Sequence, residues 1–254
     1  MAKPSPRIVE VIGSTRITPN MLRVTLGGAS MHDFPPGHEG GYIKLMFPDA
    51  FRVNPDRPVM RTYSVRAHNE DRATIDVDFA LHGETGGIAT DWAVNARPGD
   101  KITMSGPGSV KMAPQNADWV LLAGDMTGLP ALLCNIERLP PHARGYIVME
   151  LTSEADKPDM TLPDGVEFHE VITPNPTRAE GRLAEKIRAL PWMEGKPSVW
   201  TACEFDTMRE LRSYYRTERA VARDAFYLSS YWRAGCTEDQ HKVAKQRDTS
   251  ATAA

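Results

Sequence analysis

Two arginines, a tyrosine and two hydroxyls fall within six residues at Arg61-Thr62-Tyr63-Ser64-Val65-Arg66. That set suits a phosphate-bearing aromatic ligand. A guanidinium takes a phosphate through paired, charge-assisted hydrogen bonds, and a tyrosine stacks on a flat ring. A serine hydroxyl both donates and accepts at a ring heteroatom. Strand alternation would place Thr62, Ser64 and Arg66 on one face and Arg61, Tyr63 and Val65 on the other. An edge strand with solvated arginines and a half-buried tyrosine would look the same, so other segments have to decide.

A second segment, Gly83-Glu84-Thr85-Gly86-Gly87-Ile88-Ala89-Thr90, puts glycines directly before a helical start. The unpaired N–H groups of a first helical turn make an anion site, to which Thr90 can add a hydroxyl. A glycine-rich hairpin that merely reverses the chain is the alternative. A third, Val120 to Pro130, is an apolar strand ending in Gly124-Asp125-Met126-Thr127-Gly128 before a helix. Open α/β sheets bind ligands at such strand ends, although the GxGxxG fingerprint is missing. Val199 to Met208 repeats the pattern through Cys203 and Glu204, where Cys203 also reads as a small buried apolar residue. The seven histidines form no metal-ligand spacing, and neither a Gly-x-Ser-x-Gly nor a Cys/His arrangement suggests hydrolysis.

The elements that must hold these residues fall into two groups. Arg7–Thr15, Met21–Leu26, Gly41–Pro48, Arg61–Arg66, Ala73–Leu81 and Lys101–Gly106 read as strands with turn signals between them, including a turn-like His68-Asn69-Glu70-Asp71. Six such strands, with a helix near Ile88 to Ala96, predict a small antiparallel barrel. The second half alternates apolar strands (118–123, 144–151, 166–171, 198–202, 225–231) with helices (129–138, 181–190, 206–219). This predicts a parallel sheet covered on both faces. The expectation is a two-domain β plus α/β chain: a barrel over 1–113, an α/β domain over 118–235, and a polar helix and tail over 236–254.

The 254 residues carry a formal net charge of −3, which gives no global attraction to nucleic acid or anionic lipid. No apolar run approaches the ~20 residues of a membrane span, and the N-terminal segment lacks a signal-peptide core. Three cysteines, widely spaced, read as reduced thiols in a cytoplasmic protein.

Taken in order, the motifs resemble the ferredoxin–NAD(P)H reductase superfamily and, more closely, the siderophore-interacting proteins, FAD-dependent ferric-siderophore reductases. The resemblance rests on Arg61-x-Tyr63-Ser64-x-Arg66, Asp78-Phe79-x-x-His82-Gly83, Trp92, Arg97-Pro98-Gly99-Asp100 and Gly106-Pro107-Gly108. In the second half it rests on Ala123-Gly124-Asp125-x-Thr127-x-Leu129-Pro130 and Tyr231-Trp232-Arg233-x-Gly235. It implies FAD held by Arg61, Thr62, Tyr63, Ser64, Arg66, Asp78, His82 and the turn of Gly86, Gly87, Ala89 and Thr90, with Asp125 and Thr127 approaching from the second domain. Met126 and Gly128 depart from the family's usual Glu and Ala, and Ala202-Cys203-Glu204 from its Ala-Gly-Glu. Cys203 and Glu204 are then candidates for the nicotinamide side, and the donor is NADH, NADPH or ferredoxin. The C-terminal helix leans towards NADH or ferredoxin.

The resemblance implies electron relay from the donor through FAD to a ferric siderophore, with release of ferrous iron. An anionic chelate needs a local cationic patch, for which Lys44, Lys111 and Arg233 are the candidates. A general flavin or ferredoxin-type reductase, or a flavoprotein that binds ferric siderophore without turnover, would use the same parts.

Overall fold

The computed structural model describes residues 6–47, 58–81, 87–175 and 180–253, with side chains as far as 250. The chain forms two compact units, Met1–Lys111 and Met112–Ala254.

The first unit is an antiparallel sheet: β1 (Arg7–Thr18), β2 (Met21–Gly27), β3 (Tyr42–Phe47), β4 (Val59–Ser64), β5 (Ala67–Asn69), β6 (Thr74–Ala80) and β7 (Lys101–Ser105). Their order is β4-β3-β7-β1-β2-β6-β5, seven strands where the sequence predicted six. The extra one is the segment read as a turn, whose Ala67, His68 and Asn69 pair with Asp76, Ile75 and Thr74. Three residues are too few to display a period. The predicted 61–66 strand also ends early, at Ser64. Val65 N–H then donates to Gly41 and Arg66 N–H to the Asp76 carbonyl, 2.8 Å each, so the chain crosses from β3 towards β6.

Alternation fills the interior. Val9, Val11, Val24, Leu26, Ile43, Leu45, Ile75, Val77, Phe79, Ile102 and Met104 are all almost wholly buried. Each is worth about 1.5–3 kcal/mol by removal from water. Helix α1 (Ile88–Asn95) lays Ala89 and Ala93 on this core.

The second unit is a parallel sheet of β8 (Trp119–Asp125), β9 (Arg144–Leu151), β10 (Gly165–Ile172), β11 (Pro197–Glu204) and β12 (Phe226–Trp232), in the order β10-β9-β8-β11-β12. Helix α2 (Leu129–Ile136) brings Leu132 to within 3.4 Å of where a Gly124 side chain would begin. Helices α3 (Arg182–Ala189) and α4 (Phe205–Ser213) bury Leu183, Ile187, Met208 and Leu211 with Trp119, Tyr146 and Val199. Trp119 and Trp200 are core residues, 1% and 0% exposed. The helix predicted over 206–219 runs as α4 to Ser213 and continues as a wider π-helical turn over Tyr214–Glu218, closed by Arg219 N–H on the Tyr214 carbonyl.

Helix α5 (Glu238–Ala253) is attached through polar groups. Asp248 accepts two hydrogen bonds from Arg212, at 2.6 and 2.7 Å. Lys245 donates to Ser229 Oγ and the Ser230 carbonyl, and His241 Nε2 meets Ser230 Oγ at 2.8 Å. Burial, then Lys245, Arg233 and Lys242, push His241 down to about 4. A depressed folded value means that the unfolded chain binds the extra proton first. The stability from neutral His241 is therefore complete above its ordinary value of 6.5 and drains away as pH falls towards 4. His241→Gln is expected to flatten the fall in melting temperature across that window, and an unchanged slope would assign the acid sensitivity elsewhere.

Candidate functional site

In the first unit the candidate site is built on β4. Register with β3 sets Lys44 opposite Thr62, Leu45 opposite Arg61 and Ile43 opposite Tyr63. Arg61 and Tyr63 therefore share the face of the buried Ile43 and Leu45, whereas Thr62 is exposed on the face of Lys44. Ser64, at the strand end, is 8% exposed. Tyr63 packs on Phe79 of β6 at 4.3 Å between ring centroids, and Phe79 meets Trp92 of α1 at 6.0 Å. This aromatic run, with Phe47 against Trp92 at 5.9 Å, brings β4, β6 and α1 to one region of the unit.

Helix α1 offers its first turn without a side-chain cap. Gly87 occupies the N-cap with no capping hydrogen bond, and a Cβ built there would find nothing within 4 Å. Thr90 and Ala89 are buried in that turn. An uncapped, open helix start and a half-buried arginine on the β4 face are what a phosphate-bearing aromatic cofactor requires, and the residues fit one. His82 and Gly86 lie outside the described residues. Arg66 is half-buried just past β4.

Asp78 has a different place. Both its oxygens are taken by Arg23, its cross-strand neighbour, at 2.7 and 2.8 Å, with the side chain almost fully buried. That ion pair clamps β2 to β6.

In the second unit Asp125 and Glu204 end the adjacent strands β8 and β11. Asp125 Oδ1 accepts from Thr127 N–H, the Thr127 hydroxyl and Gly128 N–H (2.9, 2.6 and 3.2 Å), and Oδ2 accepts from Trp232 Nε1 at 2.7 Å. Glu204 caps α4 through Asp206 N–H and Thr207 N–H, and its other oxygen takes Ala234 N–H at 3.1 Å. These carboxylates tie strand ends to the β12–α5 connection. Cys203 is wholly buried in the core that α4 covers, and burial followed by the charges of Asp125, Glu150 and Glu204 drives its thiol well up.

The substrate candidates are spread over both units. Lys44 stands on β3 between Thr62 and Ser105, and Lys111 is exposed at the end of the first unit. Arg233, in the second, lies over the Phe205 ring at 4.8 Å and 3.8 Å from Asp206. Glu150, at the end of β9 directly beside Asp125, was not singled out from the sequence. Its only sequence signal is an acid closing the apolar run Tyr146 to Met149. No group of His, Cys, Asp and Glu suited to a metal exists among the described residues, and no described helix is long and apolar enough to cross a membrane.

A family model described as siderophore-interacting FAD-binding domain matches residues 10–56 and 51–111, and one described as siderophore-interacting protein matches 117–235. The ferric vibriobactin reductase ViuB of Vibrio cholerae is 31% identical over 252 residues, 93% of this chain and 92% of that protein. The crystal structure of the siderophore-interacting protein SipS from Aeromonas hydrophila superposes with a TM-score of 0.84 at 30% identity, over 97% of this chain and 99% of that one. The ferredoxin-NADP+ reductase of Plasmodium falciparum shares the fold alone, with a TM-score of 0.62 at 12% identity over 90% of this chain and 97% of that one.

Proposed function

This chain belongs to the siderophore-interacting protein family, and we propose that it reduces ferric siderophores with electrons from NADH, NADPH or ferredoxin. FAD is the cofactor, and its first unit is the FAD-binding domain. The observation that carries the proposal is the likeness to a ferric vibriobactin reductase over nearly the whole of both chains.

Bound FAD supplies the redox chemistry, linking the electron donor to the one-electron reduction of Fe(III). The residues supply binding and orientation. Arg61 and the N–H groups at the start of α1 would hold the phosphates, Tyr63, which packs on Phe79, would offer its ring to the aromatic system, and Ser64 would offer its hydroxyl to a ring heteroatom. No general base is required. Ferrous iron leaves because hard oxygen-donor chelators hold it less tightly than the smaller, more highly charged ferric ion. With all three cysteines free, we place the protein in the cytoplasm.

Anaerobic mixing tests this. One of the three donors should bleach the flavin, and ferric siderophore should restore its colour with stoichiometric Fe(II). A flavin that stays yellow with every donor would mark a carrier, and faster turnover of free flavin than of any ferric chelate a general reductase.

Lys44 and Lys111 of the first unit and Arg233 of the second are the cations proposed to attract an anionic chelate. Charge reversal at these positions should slow reduction of an anionic ferric siderophore and hardly alter a neutral one. The difference should shrink at high salt, where the Debye length falls from ~10 Å to ~3 Å. Equal slowing of both chelates would mean damage to the flavin site, and no slowing would return the three residues to ordinary solvated cations.

A further inference from the structure

The parallel sheet carries an acid, Glu150, near the carboxyl end of β9, beside Asp125 at the end of β8. Its order, β10-β9-β8-β11-β12, makes β8 the first strand and β9 the second, and the strand order reverses between the parallel neighbours β8 and β11. Ligands of open α/β sheets lie outside the strand carboxyl ends at such a reversal. In NAD-binding sheets of this kind an Asp or Glu about 20 residues past the first βα turn accepts the ribose 2′-hydroxyl, whereas a nearby Arg accommodates the 2′-phosphate of NADP.

Glu150 occupies the corresponding place on β9, register partner of Asp125. Asp125 is committed to Thr127, Gly128 and Trp232, so it has little left to offer a ligand. Glu150 is half-buried, and the partner it shows is the Thr173 hydroxyl, donating to Oε1 at 2.7 Å. The described charged groups facing it are Asp125 from β8 and Glu180 and Arg182 from the start of α3. Arg182 bonds Glu180 at 2.7 Å and the Ile172 carbonyl at 3.0 Å.

We propose that Glu150 sets the choice of pyridine nucleotide, accepting hydrogen bonds from the ribose hydroxyls of NADH and repelling the 2′-phosphate of NADPH. This rests on the proposal that the chain takes a pyridine nucleotide at all. Burial pushes the Glu150 carboxyl up to about 7, with Thr173 and Arg182 opposing and Asp125 and Glu180 adding to the rise. The repulsion therefore grows as pH rises through neutrality, where a 2′-phosphate, with its second ionisation near ~6, is already doubly charged.

The test uses the FAD-loaded full chain, with Glu150→Gln and Glu150→Ala beside the parent. Calorimetric binding of NAD+ and NADP+ is measured together with anaerobic flavin reduction by NADH and NADPH, from about pH 6 to about pH 8. The parent should prefer NADH, and its preference should rise several-fold to about tenfold across that range, the scale of a like-charge pair largely screened by water. Glu150→Gln should lose most of that rise, chiefly through tighter NADPH binding, and Glu150→Ala should weaken NADH as well. Two working nucleotides whose ratio is the same in Glu150→Gln as in the parent at every pH would overturn the role of Glu150 alone. No binding of either nucleotide to the parent, with reduced ferredoxin still bleaching the flavin, would overturn the nucleotide donor itself and this proposal with it.

Discussion

Asp125→Ala should lower the stability of the second unit by about 3 kcal/mol or more, since hydrogen bonds to a charged group are worth ~1.5–3 kcal/mol and their loss strands buried donors. The carboxylate is 6% exposed and receives four donors, one of them the Trp232 indole from 107 residues further along the chain. Asp125→Asn should cost roughly half as much, because one amide oxygen can still serve Thr127 and Gly128 while the amide nitrogen faces the indole N–H as donor to donor. Trp232→Phe should remove the indole bond alone. A double-mutant cycle between positions 125 and 232 should therefore couple by about 1 kcal/mol or more. Chemical denaturation followed by far-UV circular dichroism, with the transitions of the two units fitted separately, reads the effect. A loss below about 1 kcal/mol, combined with altered donor kinetics, would show that Asp125 serves a ligand more than the strand ends.

The resemblance implies that Asp125 faces the cofactor, and the reason its bonds were invisible in the sequence is physical. Strand periodicity locates an acid at a strand end but says nothing of donors arriving from distant segments. Trp232 for Asp125 and Ala234 for Glu204 are of this kind. Asp78 repeats the point, since Arg23 is 55 residues away in sequence and adjacent across β2 and β6. The framework itself was readable because its signals are local. Alternation gave β4 and β6, and apolar strands alternating with helices gave the parallel sheet. Where the helix over 206–219 widens, Tyr214 and Tyr215 are both buried, 2% and 0% exposed. Successive residues of a regular α-helix point about 100° apart, so the wider turn lets both rings face inward. Cys203 turned on burial alone, which a strand of eight residues with both faces covered does not reveal by its period.

Arg61→Ala is expected to weaken FAD by about 1.5–3 kcal/mol, or roughly ten- to a hundred-fold in Kd, the scale of hydrogen bonds to a charged group. Arg61 is half-buried on the face of Tyr63, with one guanidinium nitrogen donating to the Met60 carbonyl at 2.9 Å, so the fork is held by the strand that presents it. Arg61→Lys should recover part of the loss, because an ammonium keeps the charge but not the paired geometry. Riboflavin, which carries no phosphate, separates the two halves of the site. Its affinity should be unaffected by Arg61→Ala and should fall in Tyr63→Ala, where the aromatic contact, worth about 0.5–1.5 kcal/mol beyond its buried area, is removed. Tyr63→Phe should keep most of it. Titration of the apoprotein with FAD, FMN and riboflavin by fluorescence quenching measures all of these. If Arg61→Ala weakens riboflavin as much as FAD, the arginine supports the strand and not the phosphate. If FMN binds as tightly as FAD, the uncapped start of α1 at Gly87 is not holding a second phosphate.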